Sequence, residues 1–311
     1  MQYLYFFITL FGFFISPMFC SAQAPIFTDF FTADPSARVF KDTLYVYPSH
    51  DRDSARWWDM EDYYVYRTTD LKHWENAGKI LSLSDIDWAE KYAWAPDCIE
   101  KDGQYYFYFP TDQKHIGVAV ADHPTGPFKD ALQRPLLSIS DPGVICDRDF
   151  IDPCPFIDKD GQAYLFVGQN TLNILELNPD MVSHEGKIHI IDNLPDFFEA
   201  VWMHERQGIY YLSYSGHGKI YYATADHPTG PFTFKGPILG EVNSGTNHHS
   251  IVEFKGNWYM FYHTSDLALS KIPADDPEQQ YVQWRRSVCM QQIKYLDNGD
   301  IQPINHMTPK F

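Results

Sequence analysis

The chain has 311 residues, enough for one large domain or two small ones. Its formal net charge of −17 argues against nucleic-acid binding, which needs a basic footprint. Aromatic residues make up 17% of the chain within a hydrophobic share of 44%, a balance that favours strands over helices and allows a sizeable core.

The first 22 residues read as a secretory signal peptide. The run Met1 to Ile15 is apolar, Ser16-Pro17 breaks it, and small residues follow at Ser21-Ala22, where cleavage is expected after Ala22. No Lys or Arg precedes the run. A membrane anchor is the alternative, but Pro17 shortens the uninterrupted stretch, so no stable insertion is expected after cleavage. Cys20 follows Pro17-Met18-Phe19, a poor lipoprotein signal, which argues against lipid anchoring. The chain is therefore expected to be exported to the periplasm or the extracellular space, with residues 23–311 forming one domain. Cys98, Cys146, Cys154 and Cys289 would remain after cleavage. Their spacing matches no zinc pattern. Cys146 and Cys154 are near enough in sequence to pair, with buried free thiols as the alternative.

Two repeats organise the rest. The octapeptide Ala121-Asp122-His123-Pro124-Thr125-Gly126-Pro127-Phe128 recurs unchanged from Ala225 to Phe232, each copy following a short apolar strand and carrying the turn signal Pro-Thr-Gly-Pro. A looser unit, a polar turn leading into an aromatic strand that ends in polar residues, begins at Lys41, Lys101, Lys159, Gln207 and Lys255. No long segment carries convincing helical periodicity. Five similar all-β units predict a five-bladed β-propeller, in which four-stranded blades stack in a ring around a channel. A two-sheet sandwich is the alternative, but it does not account for a five-fold recurrence. After Val282 the chain predicts a strand, a turn at Asp297-Asn298-Gly299-Asp300 and a further strand reaching Ile304.

Three carboxylates stand near the starts of different units: Asp34 in Ala33-Asp34-Pro35, Asp152 in Ile151-Asp152-Pro153, and Glu199 in Phe197-Phe198-Glu199-Ala200-Val201-Trp202. The proline after Asp34 and Asp152 holds each aspartate extended. Apolar neighbours disfavour an ionised Glu199, so it can keep its proton near neutral pH, as the general acid of a glycosidase must. The bland alternatives are turn caps for the aspartates and a surface position on a strand edge for the glutamate.

With Trp94-Ala95-Pro96-Asp97, His248-His249-Ser250 and Arg286-Ser287-Val288 added in order, the sequence resembles glycoside hydrolase family 43 over nearly the whole of residues 23–311. The resemblance implies a five-bladed propeller that hydrolyses terminal α-L-arabinofuranosyl or β-D-xylosyl linkages of plant polysaccharides with inversion. It implies Asp34 as general base, Glu199 as general acid, and Asp152 as the residue that raises the pKa of Glu199 and orients it. Inversion leaves room for a water, so base and acid should lie about 6.5–9.5 Å apart. Trp94, His249 and Arg286 are the implied substrate contacts, with Arg285 as a competing match for the arginine and a place in the blade interface as the alternative for Trp94. His248 is implied to face a channel cation, calcium, held mostly through water, with a satisfied core histidine as the alternative; no cofactor is required. The C-terminal β-sandwich of some family members is expected to be missing, which weakens a strict xylosidase assignment. An endo-acting arabinanase of the same fold is the nearer alternative. A carbohydrate-binding propeller without catalysis is the more distant one, and it leaves the three carboxylates unexplained.

Overall fold

The computed structural model describes residues 23–308. The predicted signal peptide and Cys20 lie outside the described residues.

The strands form five small antiparallel sheets in chain order. Blade one holds β1 (Phe31–Phe40), β2 (Thr43–Asp51), β3 (Asp62–Thr68) and β4 (Glu75–Ser82). Blade two holds β5 (Asp97–Lys101), β6 (Gln104–Thr111), β7 (His115–Ala121) and the two short edge pieces β8 (Lys129–Asp130) and β9 (Leu137–Ser138), both paired with β7. Blade three is β10 (Cys154–Ile157), β11 (Ala163–Val167), β12 (Leu172–Leu177) and β13 (His184–Ile191). Blade four is β14 (Glu199–Arg206), β15 (Ile209–Gly216), β16 (Lys219–Ala225) and β17 (Thr233–Leu239). Blade five has three strands, β18 (His249–Phe254), β19 (Asn257–Thr264) and β20 (Ser287–Ile293), with the short helix α1 (Asp266–Lys271) between the last two. Among the described residues no helix is long and apolar enough to cross a membrane.

The first strands touch in the cyclic order β1, β5, β10, β14, β18 and back to β1, which makes the fold a five-bladed β-propeller with these strands around its axis. The ring closes where the N-terminal segment backs onto blade five: the Ile26 amide donates to the Val288 carbonyl at 2.8 Å and the Thr32 amide to the Arg286 carbonyl at 2.9 Å.

Each looser repeat unit is the turn and second strand of its blade, β2, β6, β11, β15 or β19. Aromatic side chains from these strands fill the seams between blades. Tyr47, joined by Tyr63 of β3, packs with Phe107 and Phe109 of blade two, for example, and all four are fully buried. The two octapeptide copies follow the third strands of blades two and four and fold alike. In each, the histidine Nδ1 faces the threonine hydroxyl, at 2.7 Å for His123 and Thr125 and 2.9 Å for His227 and Thr229.

Two local expectations fail. Val282 to Trp284 belong to a 3-10 segment (Pro277–Trp284) that Asp276 caps through the Glu278 amide, at 2.8 Å. Beyond β20 the predicted turn forms, with the Leu296 amide on the Asp300 carbonyl at 2.8 Å, but no strand follows it. The chain instead crosses to blade four, where Ile304 bridges Leu239 and the Tyr222 hydroxyl takes the Ile301 amide. The four cysteines are free.

Candidate active site

Two β-bulges and one interblade hydrogen bond build the site. In β1 the pairing with β2 slips between Ala33 and Ser36, and Asp34 adopts a left-handed φ of 48°. The extended conformation expected before Pro35 and Pro153 is therefore found at neither Asp34 nor Asp152, because the bulge geometry overrides the proline preference. In β14 the pairing with β15 slips between Glu199 and Trp202, and here the left-handed residue is Ala200, φ 61°. Asp152, φ 61°, stands two residues before the first paired residue of β10, as Asp34 and Ala200 stand two before Ser36 and Trp202. Ala200, rather than Glu199, is thus the counterpart of the two aspartates, and the glutamate sits one residue earlier. Bulges re-aim side chains at strand ends. The slip turns Glu199 toward the axis, and Asp152 Oδ2 holds it there by accepting the Ala200 amide at 2.7 Å.

Loops lock this arrangement. Gly168, φ 127°, donates its amide to the Ile151 carbonyl at 2.9 Å, and the Asn170 amide reaches the Phe198 carbonyl at 2.8 Å. Gln169 is thereby fixed between the Asp152 and Glu199 segments, and its Nε2 donates to Glu199 Oε2 at 2.7 Å. A Cβ on Gly168 would stand 2.4 Å from the Thr171 carbonyl oxygen, and one on Gly216, at the end of β15, 1.8 Å from that of Asp196. Both contacts admit only glycine.

The result is a pocket of about 210 Å³ at one mouth of the channel. Asp34, Asp152 and Glu199, from three blades, all line it, as do Trp94, His248 and Arg286. Of the residues expected here only His249 is elsewhere. It alternates with His248 across the strand, is 1% exposed, and bonds Ser213 Oγ of blade four at 2.6 Å, so it cannot touch a ligand in this pocket. The two arginines separate as cleanly: Arg286 enters the pocket, while Arg285 turns away to pair with Glu278.

Arg286 organises the base side. Its Nε and Nη2 grip Asp51 at 2.9 and 2.8 Å, and its Nη1 reaches Asp34 Oδ1 at 2.8 Å. Ser49 donates to Asp34 Oδ2 at 2.7 Å. The Asp34 amide meets His263 Nδ1 at 3.0 Å, and His263 Nε2 faces the Thr246 carbonyl at 2.9 Å. Burial alone would push the Asp34 carboxyl up, but the Arg286 guanidinium and the surrounding polar groups hold it well below the usual carboxylate range.

The acid side behaves oppositely. Burial pushes Glu199 up to about 7; Gln169 opposes the shift and the Asp34 charge adds to it. Burial, Glu199 and Asp34 likewise raise Asp152, against the Ala200 amide. Burial and the Asp34 charge thus favour a proton on the Asp152 and Glu199 carboxyls, while Asp34 itself is charged. His248 Nδ1 stands 3.6 Å from Asp34 Oδ1 and 3.9 Å from Asp152 Oδ2. Burial brings His248 down to about 4, so its imidazole is neutral here.

Several lining residues escaped the sequence reading: Trp57, Trp58, Gln113, Arg148, Asp149 and Gln169. Trp57 and Trp58 form one wall, edge to face at 4.6 Å, and the Trp58 carbonyl takes Trp94 Nε1 at 2.8 Å. The signal for Gln169 was present, since each aromatic second strand runs into polar residues. For Trp57-Trp58 nothing in the sequence separates a pocket wall from core.

Below the pocket the channel narrows to a cavity of about 10 Å³, room for roughly one water. Its Asp97 is bound by Ser36 and by the Arg38 guanidinium, which also lies over the Trp202 ring at 4.2 Å. His248, the residue expected to face a channel cation, lines both this neck and the pocket above it.

Asp34 held below and Glu199 held above the usual carboxylate range in one pocket suit the base and the acid of a glycoside hydrolase. Within that class the chain belongs to the glycosyl hydrolases family 43, whose family model matches residues 22–301. It is 36% identical to a xylosidase/arabinosidase 43A of Humicola insolens and 35% identical to a β-xylosidase of Xylanibacter ruminicola; each match covers 90% of this chain and 98% of the relative. Among solved structures it resembles a family 43 β-xylosidase/α-arabinofuranosidase from a compost microbial metagenome, in a calcium-free complex with xylotriose. The TM-score is 0.79 and the identity 35%, over 92% of this chain and 98% of that one.

Proposed function

We propose that this protein is an inverting, exo-acting hydrolase that releases terminal β-D-xylosyl or α-L-arabinofuranosyl residues from plant cell-wall oligosaccharides. The observation that carries the reading is the split between two carboxylates lining one pocket: Asp34 charged beside Arg286, Glu199 holding a proton up to about pH 7. Asp34 takes a proton from a water as that water attacks the anomeric carbon. Glu199 gives its proton to the departing glycosidic oxygen, and the bond to that oxygen breaks. Asp152 holds the Ala200 amide, and so the Glu199 backbone, and shares its proton economy. Arg286 keeps Asp34 ionised and fixed. Both proton transfers are carried by side chains of this chain.

The pocket's size supports exo action on a pentose: Trp57, Trp58, Trp94, Phe198 and Arg148 line a space of about 210 Å³, comparable to one sugar ring with its water. Similarity to the xylosidase and arabinosidase relatives supports the substrate class. Export by way of residues 1–22 is part of the proposal.

The test is a substrate panel: 4-nitrophenyl β-D-xylopyranoside, 4-nitrophenyl α-L-arabinofuranoside, xylo-oligosaccharides and debranched arabinan. Release of monosaccharide from chain ends supports the reading. Internal cleavage of arabinan would make it an endo-arabinanase, and binding without cleavage a carbohydrate-binding propeller.

A further inference from the structure

A second constellation lies away from the pocket, where Gln23 and the segment around His306 meet blade five. Asp266 opens α1, Cys289 is in β20, and His306 comes from the tail that has crossed from blade four. One donor atom from each, a carboxylate oxygen, a thiol sulfur and an imidazole nitrogen, lie within 4.8 Å of one another. All three side chains are buried: Asp266 and Cys289 are 0% exposed, and the His306 side chain 2%.

We propose that Asp266, Cys289 and His306 form a structural zinc site that clamps the C-terminal tail to blade five. One thiolate, one imidazole and one carboxylate are zinc-type donors and fill three of the four tetrahedral positions, a water taking the fourth; the sulfur disfavours calcium and magnesium. Zinc bonds of about 2.0–2.3 Å place tetrahedral donors roughly 3.3–3.6 Å apart, so the cluster reaches that geometry by side-chain adjustments on the order of 1 Å.

The supporting groups are in place. Asn243 Nδ2 donates to Asp266 Oδ1 at 2.7 Å, holding the carboxylate by its other oxygen. The Tyr262 hydroxyl meets His306 Nδ1 at 3.0 Å, which orients the ring and leaves Nε2 facing Asp266 Oδ2 at 2.8 Å. Such partners on the far side of a ligand are what orient metal-binding histidines and carboxylates. The 2.8 Å contact between Nε2 and Oδ2 needs a proton or a metal between them. Zinc would replace that proton and the thiol proton, both passing to solvent. Cys289 also points its thiol at the Gln23 carbonyl, 3.8 Å away, so the site touches the first described residue as well as the tail. Its ligands sit on three separate elements, and for that reason no spacing rule in the sequence exposes it.

The test uses the tag-free, full-length mature protein, stripped with chelator and titrated with zinc chloride and then with cobalt(II). The expected result is one equivalent bound, a thiolate-to-cobalt charge-transfer absorption, and a zinc-dependent rise in melting temperature. Cys289→Ser should abolish the charge-transfer band, and His306→Ala, in the tail, should weaken zinc at least tenfold. Asn243→Ala should weaken it by about 10–100-fold. Hydrolysis by all three variants should match the parent. His306→Ala carries the test if Cys289→Ser does not fold. No stoichiometric binding, or binding unchanged in His306→Ala, would overturn the proposal and leave a plain buried hydrogen-bond cluster.

Discussion

Replacing Glu199 with Gln separates the role proposed for this residue from every structural one. Glutamine fills the same volume and can still accept the Gln169 amide that Glu199 Oε2 accepts at 2.7 Å. What it lacks is a proton to give. Loss of a positioned general acid costs about 10²–10⁴ in rate. That loss should appear in full on xylobiose, whose leaving alcohol needs protonation, and shrink to less than about tenfold on a 2,4-dinitrophenyl xyloside, which needs none. The parent's rate should fall about tenfold per pH unit above pH 7, and this limb should vanish in the variant. Stability moves the other way. Because the folded pKa of Glu199 is raised from 4.5 to about 7, the native state binds its proton more tightly than the unfolded chain does. The parent therefore keeps its full stability below pH 4.5 and loses up to about 3 kcal/mol as pH rises through 7. That is an upper figure, since Asp152 shares the proton. Glutamine removes this loss, so the variant should melt several degrees above the parent at about pH 9 and close to it at about pH 4. Equal rate losses on both leaving groups would refute the acid role, and unchanged activity would remove Glu199 from the chemistry.

Asp34→Asn should lower the rate by about 10²–10⁴ on both leaving groups alike, because water activation is needed whichever group departs. Arg286→Gln strands Asp34 and Asp51 as buried, unpaired carboxylates; breaking such a cluster costs about 3–5 kcal/mol, readable in urea unfolding at neutral pH. Gln169→Ala removes a bond that favours the ionised form of Glu199, so the alkaline limb of the pH–rate profile should move up. A limb that stays put or moves down contradicts that geometry. Gly216→Ala should cut kcat in proportion to the displacement of the 196–199 loop, with the Asp34 side unaffected, as steady-state kinetics and a crystal structure would show.

Much of the architecture was readable because propeller blades repeat. Each blade must start a hairpin with a polar turn and fill a seam with aromatics, so the segments from Lys41, Lys101, Lys159, Gln207 and Lys255 announced themselves. Pairing after Ile293 was not readable: a turn at residues 297–300 says that the chain reverses, not which blade it then meets. At the site, Asp34 and Asp152 stood out through the prolines behind them. Glu199 looked equivalent to them and is offset by one residue, because a bulge shifts register without leaving a mark in composition. His248 and His249 are neighbours in sequence but face opposite sides of a strand, and only the register decides which of them reaches the pocket. Asp51 was visible beside His50, yet its use as the anchor of Arg286 depends on ring closure between the first and last blades. Trp57 and Trp58 look like any core aromatics until the loop that carries them is placed.

The claim beneath all of this is that a water, not a protein carboxylate, attacks the sugar from the Asp34 side while Glu199 protonates the other. Proton NMR of the sugar first released from a β-xyloside decides it. The account predicts α-xylose at the earliest times, with the β anomer growing in only by mutarotation. β-Xylose as the first product would contradict it.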